Sequence, residues 1–326
     1  MKKIIVLSMG LMITFYMVAC ANQGNSKKDI TIALDWTPNT NHTGFYVASE
    51  KGYFEEAGFQ VSIVQPPEDG AEMTVATGQA EYGISFQDSI APLYAAAEEF
   101  PLTAVAALIQ HNTSGIVSLK EKGITSPKDM EHHTYATWDL EVEKVMIQNV
   151  IETGGGDFRK LTLIPSMVTD VVSAFQTDSV DSVWVFYAWD GMALEAAGLE
   201  TNMLYFKDMN PVFDYYSPIM IANTQYLEEN SEDVKAFLSA CKKGYQYAME
   251  HPEEAAEILI REVPELDADF IKESQKWLAT QYQAEAETWG EFDKDRWNAF
   301  YRWLYENQLI EQEIPKDYGF TNQYLQ

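Results

Sequence analysis

Apolar and polar positions alternate at Ile30, Ile32 and Leu34, the period of a strand with one buried face. The alternation stops at the polar run Asp35-Trp36-Thr37-Pro38-Asn39-Thr40-Asn41-His42. Phe45, Val47 and Ala48 then open a helix that Gly52 is expected to end, Tyr53-Phe54 leads onward, and residues 59–64 read as a second strand. Strand, polar loop, helix and strand form a unit whose ligands lie beyond the carboxyl ends of its strands, where residues 35–42 would stand.

The same order returns further along. Residues 65–70 are a loop by composition, 71–77 a helix closed by Gly78, and 80–85 a strand ending in Phe86-Gln87-Asp88-Ser89. One hundred residues later a helix ends at Gln176, residues 180–185 form a strand, and Phe186-Tyr187-Ala188-Trp189-Asp190-Gly191 follows as a loop. Setting Ala80-Glu81 against Val180-Asp181 brings Phe86 opposite Phe186 without a gap, the pattern of two similar α/β halves. Between them, 116–119 is a strand, Ser126-Pro127 starts a helix, and 135–138 is a short strand whose end meets Asp139-Leu140-Glu141-Val142-Glu143 at the start of a helix. Strands are also expected at 161–164 and 219–222. From Ser231 onward the pattern is mainly helical, with Trp277, Trp289, Trp297 and Trp303 as packing residues. Four polar loops therefore stand at strand ends: 35–42, 86–89, 138–143 and 186–191.

Composition changes the picture at the amino terminus. Lys2 and Lys3 precede an apolar run over 4–18, too short to span a bilayer comfortably, which predicts an export signal over 1–19. Ala19-Cys20 resembles a bacterial lipobox, and that resemblance implies acylation of Cys20 as the mature first residue, followed by a polar tether over 20–29. Only Cys241 would then remain, so no intrachain disulfide is available. The net charge is −28 and becomes more negative when Lys2 and Lys3 leave with the signal. Such a chain is repelled by nucleic acid and anionic lipid headgroups, so a membrane link falls to the lipid on Cys20. Adjacent His132 and His133 lack the spaced partners of a metal site, Gly154-Gly155-Gly156 lacks the Gly-Lys-Ser/Thr continuation of a phosphate loop, and no motif supplies an activated serine. No metal, cofactor or catalytic residue is expected.

The segments LDWTPNTNHTGFYVASEKGYFEEAG, TGQAEYGISFQDS and DSVWVFYAWDG resemble the solute-binding subunits of ABC importers in the family named for thiamine-pyrimidine synthesis and uptake. That resemblance implies an α/β, type II periplasmic-binding fold: two lobes, 30–114 with 218–326 and 115–217, joined by two hinge crossovers around a ligand cleft. It implies hinges at 113–115 and 216–218, ABC permease and ATPase subunits as partners, a lipid-anchored extracytoplasmic location, and a monomer. The family's ligands include hydroxymethyl- and formylaminomethyl-aminopyrimidine precursors of thiamine, riboflavin, and more distantly sulfonates and nitrate. Fungal pyrimidine synthases of the same fold form the competing enzyme class, but they depend on a Cys-rich motif that this chain lacks.

The loops themselves favour a planar ligand with amino groups. None of the four contains Lys or Arg, and Asp88, Glu141 and Asp190 would oppose an anion. Trp36, Phe86, Trp138, Tyr187 and Trp189 offer stacking faces; Asn39, His42 and Gln87 offer donors and acceptors; Glu141 and Asp190 are acceptors for an exocyclic amine. The family's pyrimidine binders place an Asn in the first loop and an acid in the second lobe's loop, which match Asn39 and Asp190.

Overall fold

The computed structural model describes residues 27–96, 99–166 and 168–325. The signal over 1–19, Cys20 and most of the 20–29 tether lie outside the described residues. The end of that tether is already ordered, because β1 runs Lys28–Ala33 and begins before the first alternating isoleucine.

Among the described residues, ten strands make two five-stranded sheets. The first joins β1 to β2 (Phe59–Val64), β3 (Tyr82–Ser85), β4 (Leu102–Ala107) and β10 (Ile219–Asn223) in the order β2-β1-β3-β10-β4. The second joins β5 (Ser114–Leu119), β6 (Thr134–Thr137), β7 (Thr162–Pro165), β8 (Ser182–Phe186) and β9 (Thr201–Tyr205) in the order β7-β6-β8-β5-β9. In each, three parallel strands are followed by one antiparallel strand that has come across from the other sheet.

The likeness of the halves extends to single bonds. Glu81, just ahead of β3, accepts the backbone N–H of Thr31 at 2.8 Å, and Asp181, just ahead of β8, accepts that of Thr134 at 2.8 Å. An acid at the start of the central strand thus sets its register against the first strand in both halves.

Central strands β3 and β8 are apolar and buried because helices cover both faces, as parallel sheets require. Edge strand β2 alternates buried or half-buried with exposed positions. Strands β4 and β9 are additional to those read from the sequence; β4 is alanine-rich and β9 mixes polar and apolar residues, so neither carries a clear period of two. Residues 186–191 are not an open loop: Tyr187–Gly191 is a π-turn that runs straight into the helix Met192–Ala196.

The chain passes between sheets at 108–113 and again at 214–218. These crossings are tied side by side. The Leu108 N–H donates to Pro218 O at 3.1 Å, the Asn112 N–H donates to Asp214 Oδ1 at 3.0 Å, and the Asn112 amide donates to Phe213 O at 2.9 Å.

Candidate functional site

Parallel pairing of β1 with β3, and of β6 with β8, puts two strand ends side by side in each half. The loops that leave those ends are the four polar loops. Three of them are linked across the halves: the Phe86 and Phe186 rings stack at 6.1 Å, and Ser274 bridges Thr40 of the first loop to the carbonyl of Ala188.

The first loop is a heavily braced turn. Asn39 caps the short 3-10 helix Thr40–His42: its Oδ1 accepts the Asn41 N–H at 2.9 Å and its Nδ2 donates to Thr37 O at 3.1 Å. The Asn39 N–H donates to His42 Nδ1 at 3.2 Å, so the ring proton sits on Nε2, which donates to Asp35 Oδ1 at 2.8 Å. His42 is fully buried with both nitrogens in use, which makes it a support of the loop. Asn39 retains one amide proton. Trp36, 60% exposed, presents an uncovered aromatic face.

At the second loop Gln87 opens the helix Gln87–Ala96 and is likewise fully enclosed. It donates to Trp297 O at 3.0 Å, accepts the Tyr216 N–H at 3.0 Å, and gives its own N–H to Tyr216 O at 3.0 Å, which fastens this loop to the second crossing. Asp88 follows, with the Tyr215 hydroxyl at 3.4 Å; burial pushes its carboxyl up to about 6 against the lowering effect of nearby N–H groups and that hydroxyl.

The third loop separates two neighbouring acids. Glu141 is exposed, whereas Glu143 is buried and accepts the Tyr135 hydroxyl at 2.8 Å, the Thr137 hydroxyl at 2.8 Å and the Trp138 N–H at 2.9 Å. Its carboxyl is raised by burial, which outweighs those three bonds. Glu143 therefore fixes the turn that carries Trp138, whose ring lies 5.5 Å from Trp184.

In the fourth segment the side chains diverge. Tyr187 packs on Trp277 at 4.9 Å and donates to Glu195 at 2.8 Å, and Trp189 meets Phe270 edge-on at 5.1 Å. Both rings are engaged by the helix Ala268–Leu278. Asp190 is half-buried; desolvation pushes its carboxyl up to about 6, offset only by the Phe186 backbone, and no Lys or Arg pairs with it among the described residues. A carboxylate drawn from water without a cation is a group that a ligand bearing N–H donors can satisfy.

The structure thus leaves Trp36, Asn39, Phe86, Trp138, Glu141 and Asp190 with surface or polar capacity to offer, while His42, Gln87, Tyr187 and Trp189 are engaged by the protein. Phe186 and Ser274 join them without having been singled out from the sequence. The missed signal for Ser274 was a polar pair, Ser274-Gln275, lying between Ile271 and Leu278 on the buried stripe of an amphipathic helix.

Strand order, two crossings and facing strand ends define a type II periplasmic-binding fold. The structure superposes on the periplasmic aliphatic sulphonate binding protein SsuA from Escherichia coli with a TM-score of 0.70 and 16% identity, covering 89% of this chain and 96% of that one. The family model described as "NMT1/THI5 like" matches residues 39–255, and the chain belongs to that family. It is 28% identical over 340 residues to the formylaminopyrimidine-binding protein of Halalkalibacterium halodurans, covering 99% of each. It is also 26% identical over 304 residues to the 4-amino-5-hydroxymethyl-2-methylpyrimidine phosphate synthase of Legionella pneumophila, covering 92% of this chain and 93% of that protein.

Proposed function

We propose that this protein is the lipid-anchored solute-binding subunit of an ABC importer, that it captures a thiamine-precursor aminopyrimidine between its lobes, and that it delivers the ligand to a permease without chemical change. What supports the ligand class is that Asp190 pairs with no Lys or Arg among the described residues and that the four loops contain none. A sulfonate or nitrate there would meet carboxylates and no cation. An aminopyrimidine offers a flat ring to Trp36 and Trp138, an exocyclic amine to Asp190 or Glu141, and ring nitrogens to the remaining amide proton of Asn39. The full-length similarity to a formylaminopyrimidine-binding protein supports the same ligand class.

Cys20 would carry the lipid and hold the protein at the extracytoplasmic face of the membrane. Closure of the two lobes about the crossings at 108–113 and 214–218 would create the form that the permease recognises. Similarity to the synthases makes an enzyme the competing reading. Complementation separates the two: cells unable to make 4-amino-5-hydroxymethyl-2-methylpyrimidine are expected to stay dependent on supplied pyrimidine when they express this chain without residues 1–19, and growth without the supplement contradicts a transport role.

A further inference from the structure

Ser274 lies in the helix Ala268–Leu278, on chain that has already returned through β10, and is fully buried. Its hydroxyl is 2.6 Å from the carbonyl of Ala188 in the π-turn and 2.7 Å from Thr40 Oγ1 in the first loop. A serine has one proton to give and a carbonyl can only accept. Ser274 therefore donates to Ala188, and Thr40 donates to Ser274. The Thr40 end is held in turn, since its carbonyl accepts the Tyr282 hydroxyl at 2.6 Å and the Thr43 hydroxyl at 3.1 Å. Flanking the relay, Trp277 packs on Tyr187 and Phe270 on Trp189.

These contacts join the π-turn of the second sheet to a helix and loop belonging to the first, and none involves the crossings at 108–113 or 214–218. In a two-lobed molecule that flexes at its crossings, inter-lobe contacts away from the hinge are the ones that form and break as the lobes move. The Phe86–Phe186 stack and the two aromatic pairs tolerate sliding. The Ser274–Ala188 hydrogen bond does not, because its strength falls steeply with distance and angle.

We propose that Ser274 is a positioning residue that latches the π-turn to the Ala268–Leu278 helix in the closed form, and so sets Asp190, two residues beyond Ala188, at the cleft. The inference rests on the binding-protein reading. Loss of the hydroxyl leaves a buried Thr40 proton and a buried Ala188 carbonyl without partners in the closed form, whereas water satisfies the carbonyl once the lobes part.

The test is small-angle X-ray scattering of the ligand-free chain carrying Cys20→Ser, alone and combined with Ser274→Ala, Ser274→Cys or Thr40→Val, each checked by thermal melting. Ser274→Ala is expected to raise the radius of gyration toward an open form and Ser274→Cys to give an intermediate value. Thr40→Val, which keeps the Ser274–Ala188 bond, should match the parent even where its melting temperature falls. Superposable scattering for Ser274→Ala and the parent overturns the latch, as does equal expansion by Thr40→Val. If Ser274→Ala does not fold, the comparison of Ser274→Cys with Thr40→Val decides by the same criterion. Failure of an aminopyrimidine to bind would count against the ligand reading alone, since this comparison uses no ligand.

Discussion

Asp190 and Glu143 are acids near the ends of neighbouring parallel strands, and they work in opposite directions. Glu143 is saturated by two hydroxyls and an N–H and fixes protein; Asp190 is drawn from water and has almost nothing to accept. Asp190→Ala should therefore weaken aminopyrimidine binding by about 1.5–3 kcal/mol, as loss of a hydrogen bond to a charged group does. Isothermal titration checks this, and unchanged affinity removes Asp190 from the site. Gln87→Ala should act on stability instead, costing about 1–3 kcal/mol because the Tyr216 N–H loses its acceptor inside the protein, and denaturant unfolding measures it. Asp88 and Asp190 both have folded-state values of about 6 against 3.8 in the unfolded chain, so the folded protein holds more protons between those values. Their contribution to stability is thus largest below about pH 4 and is lost as pH rises through about 6. Thermal melts of the ligand-free protein should show a flatter decline across that window for Asp190→Asn than for the native chain. Glu143 also shows how far sequence reading reaches: spacing placed both Glu141 and Glu143 in the first turn of a helix, but only packing tells which of two acids two residues apart turns inward.

Among elements, the repeat was legible because each half carries the same short run of helix, acid, apolar strand and terminal phenylalanine. Glu81 and Asp181 set strand register, Phe86 and Phe186 end the strands, and a one-residue slip would turn every core side chain outward. The π-turn at Tyr187–Gly191 was not legible, because its extra residue per turn is stabilised by contacts with the helix Ala268–Leu278, some 80 positions away in sequence. The crossings carry another long-range assembly. His111 in the first crossing lies 2.6 Å from Asp214 in the second and 2.8 Å from Glu285, with the Arg296 guanidinium 3.5 Å from Asp214 and stacked over Tyr216. Bonding to Asp214, and secondarily to Glu285, raises His111 above its usual value despite burial and Arg296. The stabilisation is therefore complete below the unfolded value of 6.5 and is lost as pH rises through the folded one. His111→Asn should lower the melting temperature more at pH 6 than at pH 9; an equal loss at both would mean that His111 acts only by packing.

At the scale of the molecule, a strongly acidic chain sets polar loops at the strand ends of two similar α/β halves and joins those halves by paired crossings. The duplicated pattern pointed to two α/β halves, and the resemblance of three segments to a known family implied the two lobes and the paired crossings. The sequence was not sufficient for the division of labour among the loop residues, where four of the ten polar and aromatic candidates, His42, Gln87, Tyr187 and Trp189, turn out to be engaged by the protein. The central claim is that the cleft takes a flat, amine-bearing ring and refuses anions. The most direct measurement is a thermal-shift and titration panel of 4-amino-5-hydroxymethyl-2-methylpyrimidine, its formylamino relative, riboflavin, an alkanesulfonate and nitrate, since a ligand that binds only the folded form raises its melting temperature by mass action. Stabilisation by the aminopyrimidines alone, abolished in Asp190→Ala, is the predicted result; stabilisation by the sulfonate or nitrate would contradict it.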